Sequence, residues 1–149
     1  MFHSPPRAII ARLARFDGRC MANILDGKAT SKDIRAEVAH GVAEMQQKHG
    51  ITPGLAAVLT GDDPASAVYV RNKGRACDEV GIFSETFHLP ESTPEAEILA
   101  LIDKLNGDRR FHGILVQLPL PEHMDEAKIL TRVGPHKDVD ATHPTNVGR

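Results

Sequence analysis

One lysine stands where a charge is least expected. Tyr69-Val70-Arg71-Asn72-Lys73 lies in a stretch opened by Asp63-Pro64 and closed by Gly81. Asp is a good helix N-cap and Pro suits the first helical position. Wound at about 100° per residue, this helix gathers Arg71, Asn72, Arg75, Asp78 and Glu79 on one polar arc. Ser66, Tyr69, Ala76, Cys77 and Val80 fall on the opposite arc, with Lys73 as the lone charge in its middle. Two readings of Lys73 stand. A snorkelling lysine lays its stem over apolar surface and keeps its ammonium in water. A desolvated amine instead favours its neutral form and can pass protons as an acid or a base. In that case Ser66 and Tyr69 line the same cleft wall.

Gln117 is the second chemical signal. It is an amide at the end of an apolar run, Gly113 to Leu118, and Pro119-Leu120-Pro121 fixes the exit. A buried amide needs partners, either a neighbouring backbone group or a functional one. The third signal is Lys137-Asp138-Val139-Asp140 with His143, Pro144 and Asn146. An acid in a Pro-rich loop serves as a turn residue. It can also accept two hydrogen bonds from an amidine-like edge such as a pterin.

The elements that must position these residues alternate. Thr30-Ser31-Lys32-Asp33 resembles a loose capping box, and Ile34, Val38, Val42 and Met45 mark one apolar face of the helix that follows, stopped by Gly50. Leu55 to Leu59 reads as a buried strand, and Ile82 to Leu89 as a second. Thr93-Pro94-Glu95 opens a helix with Ile98, Leu101, Ile102 and Leu105 inward, ended by Asn106-Gly107. Gly113 to Leu118 is a third strand, Asp125 to Thr131 a short helix, and Gly134 to Arg149 a loop. This order predicts a three-layer α/β/α domain with a mostly parallel sheet. Ligands of such sheets sit beyond the carboxyl ends of the strands. Three loops qualify: Gly61 to Pro64, the region after Leu89, and Gln117 to Pro121.

Composition removes other classes. The 149 residues suit one domain, and 41% hydrophobic residues supply a core. A net charge of -2, with no Trp and one Tyr, argues against nucleic acid and anionic membranes as partners. No apolar run approaches the roughly 18 residues of a membrane span. Two cysteines without C-x-x-C argue against a disulfide framework and fit a reducing, cytoplasmic setting. Eight histidines lack ligand spacing, so no metal is expected. G-x-G-x-x-G, the P-loop and G-x-S-x-G are all absent, so no cofactor-binding residues are expected here. Residues 1–20 carry Arg7, Arg12, Arg15 and Arg19 against Asp17, with a weak stripe at Ile9, Leu13 and Phe16. They read as a disordered leader rather than an organellar presequence, the domain proper being residues 21–149.

Four segments resemble a known family. Gly61-Asp62-Asp63-Pro64-Ala65-Ser66 followed by Tyr69 to Lys73 is similar to the first signature of the bifunctional methylenetetrahydrofolate dehydrogenase/cyclohydrolases. Gly113-Ile114-Leu115-Val116-Gln117-Leu118-Pro119-Leu120-Pro121 resembles the second. Pro135 to Asp140, running into His143 to Arg149, resembles the third, and Ile24 to Lys28 resembles the family's opening. The resemblance implies oxidation of 5,10-methylenetetrahydrofolate with NADP, then hydrolysis of the methenyl product to 10-formyltetrahydrofolate. It implies that Lys73 is the catalytic lysine and that Gln117 bonds and tunes it. Tyr69 stacks on the pterin, Asp140 holds the pterin edge, Ser66 supports the lysine, and Leu118 and Pro119 contact substrate. It further implies tetrahydrofolate derivatives as partners, a homodimer, and a cytoplasmic role in purine biosynthesis. Two departures are visible. Ala141 stands where the family has Gly, and the family's Rossmann domain is not in the sequence, which ends within the connector. The expectation is therefore a folate domain with cyclohydrolase residues, impaired in the dehydrogenase step and binding no NADP alone. The alternative is a folate-binding or dimerisation remnant without turnover.

Overall fold

The structure, a computed structural model, describes residues 26–148. The expectations for residues 1–20, for Ile24-Leu25 and for Arg149 lie outside these residues. Helix α1 spans Gly27–His49, β1 Gly54–Thr60, α2 Pro64–Val80, β2 Phe83–Leu89, α3 Glu95–Gly107, β3 Gly113–Val116, α4 Glu126–Arg132 and α5 Pro144–Val147. The strands form one parallel sheet in the order β2-β1-β3. The short turn α5 corrects the expectation of uninterrupted loop after Gly134. His143 caps it through Nδ1, which accepts from the Thr145 N–H at 3.1 Å, and Pro144 supplies the first helical residue.

Strand alternation divides the core into two layers. Ala56 and Val58 of β1 with Ile114 and Val116 of β3 face Ile98, Ile102 and Leu105 of α3 and Ile129 of α4. Ala57, Leu59 and Leu115 face the other way, onto Val70 of α2. Helices on both faces of a parallel sheet give the expected three layers.

Two helix starts differ from the expectation. Helix α1 begins at Gly27, because the Asp26 carboxylate accepts from the Lys28 and Ala29 N–H groups at 2.9 and 3.1 Å. Thr30 instead turns its hydroxyl onto the Asp26 carbonyl. Thr93 does not cap α3. It is buried, and Glu95 ties the helix start to α4 by accepting from the Asp125 N–H and Lys128. The apolar stripe of α1 also behaves differently. Val42 is buried, whereas Ile34, Val38 and Met45 are exposed, because α1 lies against α2 and not on the sheet.

Candidate active site

A parallel sheet ordered β2-β1-β3 has its topological switch between β1 and β3, where consecutive connections leave on opposite faces. The carboxyl ends of those two strands lead into Asp63–Lys73 and Gln117–Pro121, so the sheet brings together two of the three candidate loops. The third, after Leu89, meets them at Glu91, which lines a depression of about 350 Å³ with Thr60, Asp63 and Pro119.

Helix α2 points its start into this crevice. The Asp63 carboxylate accepts from the Ser66 N–H at 2.7 Å, a bond that holds its carboxyl below the usual range. Ser66, Val70, Cys77 and Val80 form the buried arc. Lys73, three residues after Val70 and seven after Ser66, is partly buried on that arc, as the sequence predicts. Val70 belongs to the arc and was missed, whereas Tyr69 sits on its flank, 63% exposed. Arg71, Asn72, Arg75, Asp78 and Glu79 face solvent. Burial, then the Asp78 carboxylate, push the Cys77 thiol up, which leaves it inert as a nucleophile.

Gln117 lies one residue beyond β3, yet its N–H still donates to the Val58 carbonyl at 2.9 Å. The period of two puts its side chain with Leu115, on the α2 face of the sheet. Its Nε2 donates to the Leu118 carbonyl at 2.8 Å, and Ser66 Oγ donates to the same carbonyl at 3.4 Å. The Leu118–Pro119 peptide is cis. With Nε2 committed, Oε1 is the free end of the amide. Among the described residues Gln117 Oε1 and Thr60 Oγ1 are the two buried side-chain polar atoms without a partner, and they stand at the carboxyl ends of β3 and β1. The direct Lys73–Gln117 bond implied by the resemblance is not formed here. Instead an acceptor is left open on the face that carries the lysine.

The segment after α4 runs along the outer edge of β3. The Ile114 N–H donates to the Lys137 carbonyl at 2.7 Å, in a parallel bridge of Ile114 with Asp138. Asp140, two residues further on, is exposed and makes no side-chain hydrogen bond among the described residues. Asp138, by contrast, accepts from the Thr142 N–H and hydroxyl, the His143 N–H and Asn146 Nδ2. Burial raises its carboxyl, but those donors outweigh it and hold the group below the ordinary range. Sequence reasoning passed over Asp138 as one acid of a motif. The signal was an acid followed, four to five residues later, by a hydroxyl and free N–H groups, the pattern of a side-chain-capped turn.

Ala141 adopts φ 55°, the left-handed region. A residue with a Cβ is strained there, where glycine is not. Ala141→Gly is expected to raise stability by about 0.5–1 kcal/mol, the relief of left-handed strain less the entropy of glycine. A melting temperature unchanged or lowered in that variant would show that the position is unstrained.

Residues 25–140 match the family profile described as the catalytic domain of tetrahydrofolate dehydrogenase/cyclohydrolase. The chain belongs to this family. Among curated relatives, the bifunctional protein FolD of Moorella thermoacetica is 58% identical over 127 residues, covering 85% of this chain and 45% of the relative. Among solved structures, the bifunctional FolD of Campylobacter jejuni matches with a TM-score of 0.82 at 48% identity, covering 85% of this chain and 44% of that one. The Trypanosoma brucei FolD, solved with NADP cofactor and an inhibitor, matches with a TM-score of 0.82 at 34% identity, covering 85% and 43%. The chain spans a little under half the length of the curated relatives it matches.

Does this tetrahydrofolate dehydrogenase/cyclohydrolase domain offer NADP a seat? In dinucleotide-binding α/β folds the diphosphate rests on the helix N-terminus after the first strand. Here the Asp63 carboxylate already occupies the start of α2, and Asp62 adds a second negative charge beside it. That turn does not fit the cofactor. Among the described residues no cluster of three His, Cys, Asp or Glu side chains could hold a metal ion, and no helix is long and apolar enough to cross a membrane.

Proposed function

We propose that this domain binds a tetrahydrofolate derivative across the carboxyl ends of β1 and β3 and hydrolyses 5,10-methenyltetrahydrofolate to 10-formyltetrahydrofolate. One observation carries the reading: a partly buried lysine on α2 and a buried amide oxygen without a donor at the end of β3 lie on the same side of the sheet. Asp140 accepts the amidine-like edge of the pterin with both oxygens. Tyr69 lends an exposed ring face, and Leu118 and Pro119 form an apolar wall.

Hydrolysis adds water to the cationic carbon between N5 and N10. The water must lose a proton as the C–O bond forms, and N5 must gain one as the C–N5 bond breaks. The hydroxyl then gives up its remaining proton to solvent as the formyl C=O forms on N10, so one proton is released overall. Lys73 takes the proton from water and returns one to N5, a general acid–base role. Gln117 Oε1 accepts a hydrogen bond from the Lys73 amine and holds it on this path, while the Leu118 carbonyl, which also accepts from Ser66 Oγ, holds the amide through Nε2. Catalytic hydrogen bonds are often long before substrate arrives.

Oxidation of the methylene compound with NADP is the family's other reaction. Its cofactor needs residues outside this domain, so the chain by itself is expected to lack it. Homodimerisation, a cytoplasmic location and service to purine biosynthesis extend the same reading from the full-length family. The test is the decay of methenyltetrahydrofolate absorbance with purified chain, corrected for spontaneous hydrolysis. Decay above background is expected. A folded sample that adds nothing to the background would leave a binding or dimerisation remnant.

A further inference from the structure

We propose that Asp138 is the positioning residue for Asp140, setting where the substrate-facing carboxylate stands. The proposal rests on the reading of Asp140 as the acceptor of the folate edge. Asp140 makes no side-chain hydrogen bond among the described residues, so its place is decided entirely by the backbone that carries it.

That backbone is held on both sides. Before it, Lys137 is bridged to β3, and its Nζ donates to the Leu105 and Asp108 carbonyls at 2.9 and 2.8 Å. Val139 lies over Gly113 so closely that a Cβ on that glycine would come within 2.5 Å of Val139 Cγ1. After it, the chain turns at Ala141 and returns to Asp138. Oδ1 takes the Thr142 N–H and hydroxyl, both at 3.2 Å. Oδ2 takes the His143 N–H at 2.9 Å and Asn146 Nδ2 at 3.0 Å. Asn146 Nδ2 also donates to the Pro135 carbonyl at 2.7 Å, closing the loop from its far end. Asp140 is thus a free carboxylate on a clamped loop, and the clamp is one neighbouring carboxylate. Such preorganisation removes the cost of ordering the loop when ligand binds.

Both oxygens of Asp138 face only donors, so Asp138→Asn sets an NH2 group against two of them. Removing acceptors from donors of this kind changes affinity by roughly tenfold or more. The experiment is a double-mutant cycle on the intact chain, read as the dissociation constant for 5-formyltetrahydrofolate, a stable reduced folate. Asp138→Asn and Asp140→Ala are each expected to weaken binding roughly tenfold or more. The double variant is expected to bind no more weakly than Asp140→Ala alone, because a positioning residue has nothing left to position. Full additivity would overturn the proposal and leave Asp138 a merely structural group. Asp140→Ala without effect, or a wild-type chain that fails to bind, would overturn the folate-edge reading and the proposal with it. Should Asp138→Asn fail to fold, Asn146→Ala removes a single donor from the clamp. It must then show a smaller loss that disappears in the Asp140→Ala background, and persistence of that loss there would overturn the proposal.

Discussion

Replacing Lys73 with Met is expected to remove the hydrolysis of 5,10-methenyltetrahydrofolate that this domain accelerates, a loss of about 10²–10⁴-fold, the usual worth of a positioned acid–base group. Met keeps the length and apolar stem of lysine, so the packing of α2 on the sheet is retained while the amine is lost. The melting temperature should therefore stay close to that of the parent. The competing account of Lys73 as a surface residue covering apolar atoms predicts the opposite pattern, with rate unchanged and only stability touched. Hydrolysis by Lys73→Met at the parental rate would remove Lys73 from the chemistry. Gln117 would then be left with an unpaired buried oxygen that serves no purpose in this reading.

Gly54→Ala is expected to be the most damaging single methyl in the fold. A Cβ there would stand 1.9 Å from the Arg110 carbonyl oxygen and 3.0 Å from its carbon. Both are backbone atoms, so no rotamer can relieve the overlap. Nor can the segments part freely. The Gly54 N–H donates to His112 Nδ1 at 3.1 Å, and its carbonyl accepts from the His112 N–H at 2.7 Å. Between them Phe111 is 1% exposed, with the Phe83 and Phe87 rings at 5.7 and 5.9 Å. Overpacking at such a junction costs about 3 kcal/mol, near the upper end of its usual range. For a domain of this size that lowers the melting temperature by roughly 10 °C. Gly41→Ala is the matched control: nothing lies within 4 Å of its Cβ, and mid-helix alanine is favoured over glycine. A Gly54→Ala variant that melts with the parent would show that β1 and the Arg110 turn are not in close contact.

Much of the site was legible because its signals are local. Helix α2 announces both ends through Asp63-Pro64 and Gly81, and helical periodicity then places Lys73 on the arc of Ser66. Strands β1 and β3 appear as short apolar runs between turn residues, and the alternation of helix with strand leads to a parallel, layered sheet. The family resemblance also rests on contiguous residues, 61–73, 113–121 and 135–149, which need no tertiary knowledge to read.

What failed to show in the sequence depends on partners distant along the chain. Periodicity states that Ile34, Val38, Val42 and Met45 share a face, but not whether that face meets a sheet or merely another helix, and only Val42 is buried. Gly54 reads as the edge of a strand; its necessity comes from Arg110, far along the chain and touching only after folding. Asp138 and Asp140 are the same residue type two positions apart, and the one local difference is the hydroxyl of Thr142, four residues after Asp138. The bridge to Ile114 and the turn at Ala141 direct one into a cluster of N–H donors and leave the other bare. Local chemistry thus determined most of the elements and singled out the candidate groups. The strand order β2-β1-β3, which only the tertiary structure decided, put β3, which leads into Gln117, beside β1, which leads into the helix of Lys73, because neighbouring strands are chosen by the packing of whole layers and not by any segment alone.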